Sequence, residues 1–196
     1  MEHYYSEKQA SPLNLRKIKA RLRGNELGFY AGAGVFSSSR VDRGTEILVD
    51  YSILKDGQRI LDLGCGYGAV GLSVAKAFPN AEIVMTDVNA RAVSLARMNA
   101  EMLKLKNVHV VQGDLFVNVT GKFDVILLNP PQSAGRELCY AMMGGAHERL
   151  SKGGSLQLIA RNKKGGEMLG KRMMDIFGNL RIIVKKSGYW LYCSEL

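Results

Sequence analysis

From residue 57 onward, short apolar runs alternate with stretches whose apolar positions recur at helical spacing. QRILDLG, AEIVMTD, VHVVQGD, FDVILLN and SLQLIAR are rich in β-branched residues and bounded by Gly, Asp or Pro. Residues 69–78, 89–104, 136–150 and 164–177 lie between or after them with helical patterning, and Met98 and Met102 fall on what reads as a buried helix face. Such alternation predicts parallel strands joined by right-handed crossovers, with helices on both faces of the sheet. Near the end, LRIIVKK and GYWLYCSE are separated only by Ser187 and Gly188. That spacing predicts a hairpin and an antiparallel edge, with Trp190 read as core.

The first 56 residues have a different texture. Ser11 to Gly24 (SPLNLRKIKARLRG) has a proline near its start and a glycine at its end, as a short basic helix would. ELGFYAGAGVFSSSRVDRGTEILVDY then suggests a short hairpin followed by a helix. No repeat or low-complexity linker is evident. Residues 1–56 are therefore expected to form a lid packed on a main α/β domain of residues 57–196.

A chain of 196 residues suits one good core. No stretch approaches the roughly 20 apolar residues of a membrane span. The polar start MEHYYSEKQ lacks the apolar run of a secretory signal, so a cytoplasmic location is expected. Cys65, Cys139 and Cys193 are far apart and form no CxxC pair, and the three histidines are scattered. Neither a disulfide framework nor a metal site is expected.

Net charge is +9, distributed as +3 over residues 1–60, zero over 61–150 and +6 over 151–196. Basic ends around a neutral middle suit a polyanion such as RNA, although a solubilising surface would look the same. RKIKARLR (16–23) and the trio Arg161, Lys163 and Lys164 are candidate phosphate contacts, or simply solvated charges.

ILDLGCGYGAVGL (60–72) runs from a strand through a glycine turn into a helix. Gly64, Gly66 and Gly68 let the backbone turn sharply beside a ligand. Gly66 to Gly71 satisfies GxGxxG and Asp87 follows Gly66 by 21 residues, so a dinucleotide passes on spacing alone. The acids point elsewhere. Asp62 precedes the loop where it would repel a pyrophosphate and suit an amino group. Asp87 ends the second strand, suited to ribose hydroxyls, and Asp114 ends the third, suited to an adenine amine. Each acid alone is equally at home as a turn or cap residue. Cys65 reads as a small buried filler, since no histidine is placed to activate it.

LLNPP (127–131) closes the fourth strand with an amide and two prolines. The Asn129 side-chain carbonyl and the Pro130 backbone carbonyl are two acceptors that could hold an NH2 group. Each would take one N–H, favouring a pyramidal nitrogen with its lone pair aimed at an electrophile. A stiff turn that merely ends the strand is the alternative.

As a set these motifs resemble the class I S-adenosylmethionine-dependent methyltransferases, over residues 57–196. The resemblance implies a doubly wound seven-stranded sheet, order 3-2-1-4-5-7-6 with the last strand antiparallel. It places Asp62, Gly64, Cys65, Gly66 and Gly68 at the cofactor, together with Asp87 and Val88, Asp114 and Leu115, and Asn129. Asn-Pro-Pro is similar to the signature of enzymes acting on amino nitrogens: adenine N6, guanine N2 or a glutamine amide. This makes Asn129, Pro130 and Pro131 the catalytic candidates. Where several of those enzymes have a stacking aromatic, this chain has Gln132.

HYYSEKQAS and GVFSSSRVDRGTEILV resemble the front of small-subunit rRNA guanine-N2 methyltransferases and their compact single-domain, archaeal-type relatives. Carried over, this nominates Val35, Phe36, Gly44 and Thr45 as pocket-lining residues, with Phe36, Thr45, Gln132 and Arg161 toward the substrate. The implied partner is RNA (rRNA, or else tRNA), with no membrane and no metal, for a monomer or homodimer. A glutamine side chain in a protein, an adenine, or an inactive RNA-docking module are the rivals.

Overall fold

The computed structural model describes residues 6, 7, 9 and 12–196, so most of HYYSEKQAS lies outside the described residues. Residues 16–22 differ from the sequence expectation. They form a strand, β1 (Arg16–Leu22), paired antiparallel with β2 (Asn25–Ala31). Among the described residues the basic helix expected over 11–24 does not form, and the partner strand lies in ELGFYA. Period-two alternation decides this. Ile18 and Leu22 are buried, while Lys17, Lys19 and Arg21 are exposed. Gly24, read as a helix end, is instead half of a two-residue turn. Arg23 and Gly24 both have positive φ (46° and 80°), as a tight hairpin of this type requires.

A loop then leads to α1 (Arg43–Tyr51), capped by Asp42, and the main sheet begins. Its elements are β3 (Arg59–Leu63), α2 (Ala69–Ala77), β4 (Glu82–Asp87), α3 (Ala90–Met102), β5 (Val108–Gln112), β6 (Phe123–Leu128), α4 (Arg136–Arg149), β7 (Leu150–Arg161), α5 (Gly166–Phe177), β8 (Arg181–Lys186) and β9 (Tyr189–Glu195). The spatial order is β5-β4-β3-β6-β7-β9-β8. Counted within this sheet, that is the expected 3-2-1-4-5-7-6. β9 runs antiparallel to both neighbours, after a turn in which Ser187 and Gly188 have φ of 50° and 78°.

Ile60, Leu61 and Leu63 are all buried, as expected for a parallel strand covered on both faces. One apolar cluster joins the hairpin, α1, α2 and α3 to one face of the sheet. A second joins α4 and α5 to the other. On α3 the inward residues are Ala92, Leu95, Ala96 and Asn99. Met98 lies two residues beyond Ala96, about 200° around the helix, and is exposed rather than core; Met102, at the rim, is half-buried. Trp190 is half-buried against the second cluster, with Lys185 Nζ 3.9 Å from its ring centroid.

The N-terminal hairpin is fastened by a buried amide. Asn99 Oδ1 accepts from Tyr30 N at 2.7 Å, and its Nδ2 donates to the carbonyls of Tyr30 and Tyr67, both at 2.9 Å. One side chain thus ties β2, α3 and the glycine loop together. An Asn99→Ala variant, leaving three buried backbone groups without partners, is expected to lose about 2–4 kcal/mol in urea denaturation.

Candidate active site

β4 and β6 flank β3 on opposite sides, and a crevice opens at the carboxyl ends of these strands. There the glycine turn, the ends of β4 and β6 and the loop before α1 enclose a cavity of about 280 Å³. The turn delivers the first residues of α2 without a side-chain cap, because Gly68 occupies the N-cap in the left-handed region (φ 95°). A side chain at 68 would also collide with Leu72 and Met85.

Asp62 is 3% exposed and lines the cavity, and its Oδ2 accepts from Gly71 N at 2.8 Å. Burial pushes its carboxyl up to about 7; the Gly71 bond opposes this and the nearby Asp87 charge adds to it. No ion pair of the described residues involves Asp62. Asp87 Oδ2 accepts from Gly66 N (2.8 Å) and its Oδ1 from Asn89 N (2.9 Å). Burial raises its carboxyl too, against the pull of these backbone bonds. Asp114 is exposed at the far wall beside Val88 and Leu115, and Leu115 adopts a left-handed backbone (φ 50°). Cys65 is buried, and burial drives its thiol well up, which suits a filler rather than a nucleophile.

Asn129, Pro130 and Pro131 line the same cavity, facing Val35, Phe36 and Thr45 of the N-terminal segment. The Pro130 carbonyl already accepts from Gln132 N (2.8 Å), leaving one lone pair. Asn129 Nδ2 donates to Thr45 Oγ1 at 3.0 Å and to Asp42 Oδ2 at 3.3 Å. Its nitrogen is therefore occupied within the protein, and its carbonyl oxygen is the end left for a ligand. Thr86, also lining the cavity, has a buried hydroxyl without a partner among the described residues.

A second, outer opening adjoins the first and shares Phe36, Asn129 and Pro130 with it. Arg40, Arg43, Arg161 and Lys164 supply its basic groups, and Glu46 pairs with Arg43 at 2.6 Å. Arg161 stands over the Tyr189 ring, 5.1 Å from its centroid. Gln132 lies here, but its amide is used internally. It accepts from Arg161 N (2.9 Å) and donates to the Lys164 carbonyl (3.0 Å), clamping the loop after β6 to the loop after β7. Gly44 is packed under Tyr189, whose ring a Cβ would strike at 2.9 Å.

Several organising residues were not evident in the sequence. Asn89 caps α3 and donates to Gly34 O (2.8 Å), and Arg91 donates to Ala33 O (2.7 Å). Together they hold down the loop that carries Val35 and Phe36. Asp42 caps α1 while reaching Asn129. Each cap has a helix-start signature, but its second bond is tertiary. Among the described residues no group of three His, Cys, Asp or Glu is placed to hold a metal, and no helix is long and apolar enough to cross a membrane.

The model of the "methyltransferase small domain" family matches residues 26–193. The chain belongs to this family. An uncharacterized protein of Bacillus subtilis is 38% identical over 193 residues, covering 97% of this chain and 96% of that one. The Haemophilus influenzae ribosomal RNA small subunit methyltransferase C is 37% identical over 140 residues, covering 69% of this chain and 42% of the relative. The Thermus thermophilus 16S rRNA N2 methyltransferase, solved with AdoMet and guanosine, superposes with a TM-score of 0.82 at 28% identity. That match covers 96% of this chain and 53% of the other, so this family member spans about half the length of that enzyme.

Asp62 generates a test that needs no ligand. Its folded value lies above the 3.8 of an ordinary aspartate, so the contribution is complete below about pH 4 and is lost as pH rises to about 7. Alone it should cost the unliganded protein up to about 4 kcal/mol across that window. Asp62→Asn should flatten this part of the pH–stability curve and raise stability at pH 8, read by denaturant titration.

Proposed function

We propose that this protein transfers a methyl group from S-adenosylmethionine to the N2 amino group of guanine in small-subunit ribosomal RNA. The observation that carries the reading is one cleft lined by two complementary groups. One is Asp62, a buried carboxylate with no cationic partner among the described residues; the other is the Asn129 amide, its nitrogen bonded within the protein and its carbonyl left for a ligand.

The residues fit this cofactor. Asp62 would receive its ammonium group, a positive charge that no ion pair of the described residues supplies. Asp87, with lone pairs remaining beyond Gly66 and Asn89, would accept from the ribose hydroxyls. Val88, Asp114 and Leu115 would border the adenine. When bound, the cofactor supplies a methyl group already activated by a sulfonium.

The chain's task is then to orient the acceptor. Asn129 Oδ1 and the remaining lone pair of Pro130 O would each take one N–H of the target amine, directing its nitrogen lone pair into the cleft. Neither acceptor needs to ionise, and catalysis is mostly orientation with electrostatic complementarity. Phe36, 40% exposed where the two openings meet, would stack on a base turned out of its RNA context. The basic groups of the outer opening favour a nucleic acid over a glutamine side chain. The likeness to rRNA N2 methyltransferases points the same way.

Two measurements follow. Because a ligand ammonium would stabilise ionised Asp62, binding of S-adenosylhomocysteine should weaken as pH falls through about 7 and release a proton there. Calorimetry in two buffers of different ionisation enthalpy reads that proton, and proton-neutral binding at pH 6 would contradict the assignment. For the transfer itself, tritium from labelled cofactor should enter small-subunit rRNA and not release factors or other protein. Asn129→Ala should cut it about 100-fold or more while still binding S-adenosylhomocysteine. Label in protein alone, or undiminished transfer by the variant, would overturn the reading.

A further inference from the structure

We infer that Asp42 and Thr45 are positioning residues that fix which end of the Asn129 amide faces the substrate. This rests on the amine-acceptor reading above and adds a determinant of its polarity. An asparagine amide can turn over, exchanging a carbonyl that accepts for an NH2 that donates, and the two orientations have nearly the same shape. Only the carbonyl-outward orientation can hold an amine. The selection must come from the partners behind it.

Those partners form a chain with one direction. A carboxylate only accepts hydrogen bonds. Asp42 Oδ2 lies 2.5 Å from Thr45 Oγ1, so the hydroxyl proton is committed to Asp42. The same hydroxyl contacts Asn129 Nδ2 at 3.0 Å and, its proton spent, can only accept there. Asp42 Oδ2 is also 3.3 Å from Nδ2, a second acceptor on the same nitrogen. Turning the amide over would set a carbonyl oxygen against a hydroxyl lone pair and a carboxylate. The carboxylate is itself anchored, since it caps α1 through Gly44 N (2.8 Å) and Thr45 N (3.3 Å). The helix start thus sets the hydrogen-bonding sense of an amide on another strand, 87 residues away in sequence.

Asp42→Asn separates capping from polarity. Asparagine also caps helices, and its carbonyl can keep the Gly44 N bond. Its NH2 can donate to Thr45, however, and free the hydroxyl to donate to a reversed Asn129. Thr45→Val removes the link, and Thr45→Ser keeps it. Asp42→Asn and Thr45→Val are expected to lower kcat for methyl transfer to unmodified small-subunit rRNA about 10- to 100-fold. Their affinity for S-adenosylhomocysteine should stay within about threefold of the parent, and the double variant should be no slower than the worse single one. Thr45→Ser should recover most of the rate.

A second readout does not depend on the acceptor. In the parent, the Asn129 side-chain NH2, assigned by its loss in Asn129→Ala, should be slow to exchange with solvent by NMR. It should exchange at least about tenfold faster in Asp42→Asn and Thr45→Val. Unchanged exchange and unchanged kcat in Asp42→Asn, with transfer abolished in Asn129→Ala, would overturn the inference and leave the amine reading standing. Full transfer by Asn129→Ala would overturn the amine reading itself, while the exchange data would still report on the relay.

Discussion

Asp62 is buried at the carboxyl end of β3, held by one backbone N–H and approached by no cation of the described residues. Burying a charge without compensation is costly, and the protein keeps this one on a central strand. The surrounding features follow from it. The glycine turn brings Gly71 N within bonding distance, and the same turn lets Gly66 N reach Asp87. Two carboxylates and the start of α2 converge on one cavity of about 280 Å³. Such a site is poor for a pyrophosphate and suited to a ligand bearing its own positive charge.

The end of β6, beside β3, works differently. No group near Asn129 needs to titrate for an amine to be held there; what matters is which atoms point inward. Asn89 and Arg91 hold the loop of Val35 and Phe36, Asn99 anchors β2, and Asp42 joins α1 to the end of β6. Every one of these bonds links the N-terminal segment to the main α/β domain, three through α3 and one through the end of β6. That segment completes the wall that the sheet alone would leave open, and one apolar cluster runs through both.

The sheet and the glycine loop were legible in the sequence because both rest on local pattern. Buried parallel strands need uninterrupted apolar runs, and a turn beside a ligand needs glycine. RKIKARL was misread because arginine, lysine, alanine and leucine are good helix formers. Its alternation of Ile18 and Leu22 with Lys17, Lys19 and Arg21 gains meaning only once a partner strand buries one face. Met98 fitted a helical period but missed the inward face by about half a turn. Gln132 stood where an aromatic was sought, and its clamp across two loops is visible only in three dimensions.

The proposed acceptor is the N2 amino group of guanine in small-subunit ribosomal RNA. Chromatography and mass spectrometry of nucleosides from small-subunit rRNA, treated with the protein and deuteromethyl-labelled cofactor, test that identity most directly. The account predicts the label in N2-methylguanosine. Label in N6-methyladenosine, in a ring-methylated base or in no nucleoside at all would contradict it.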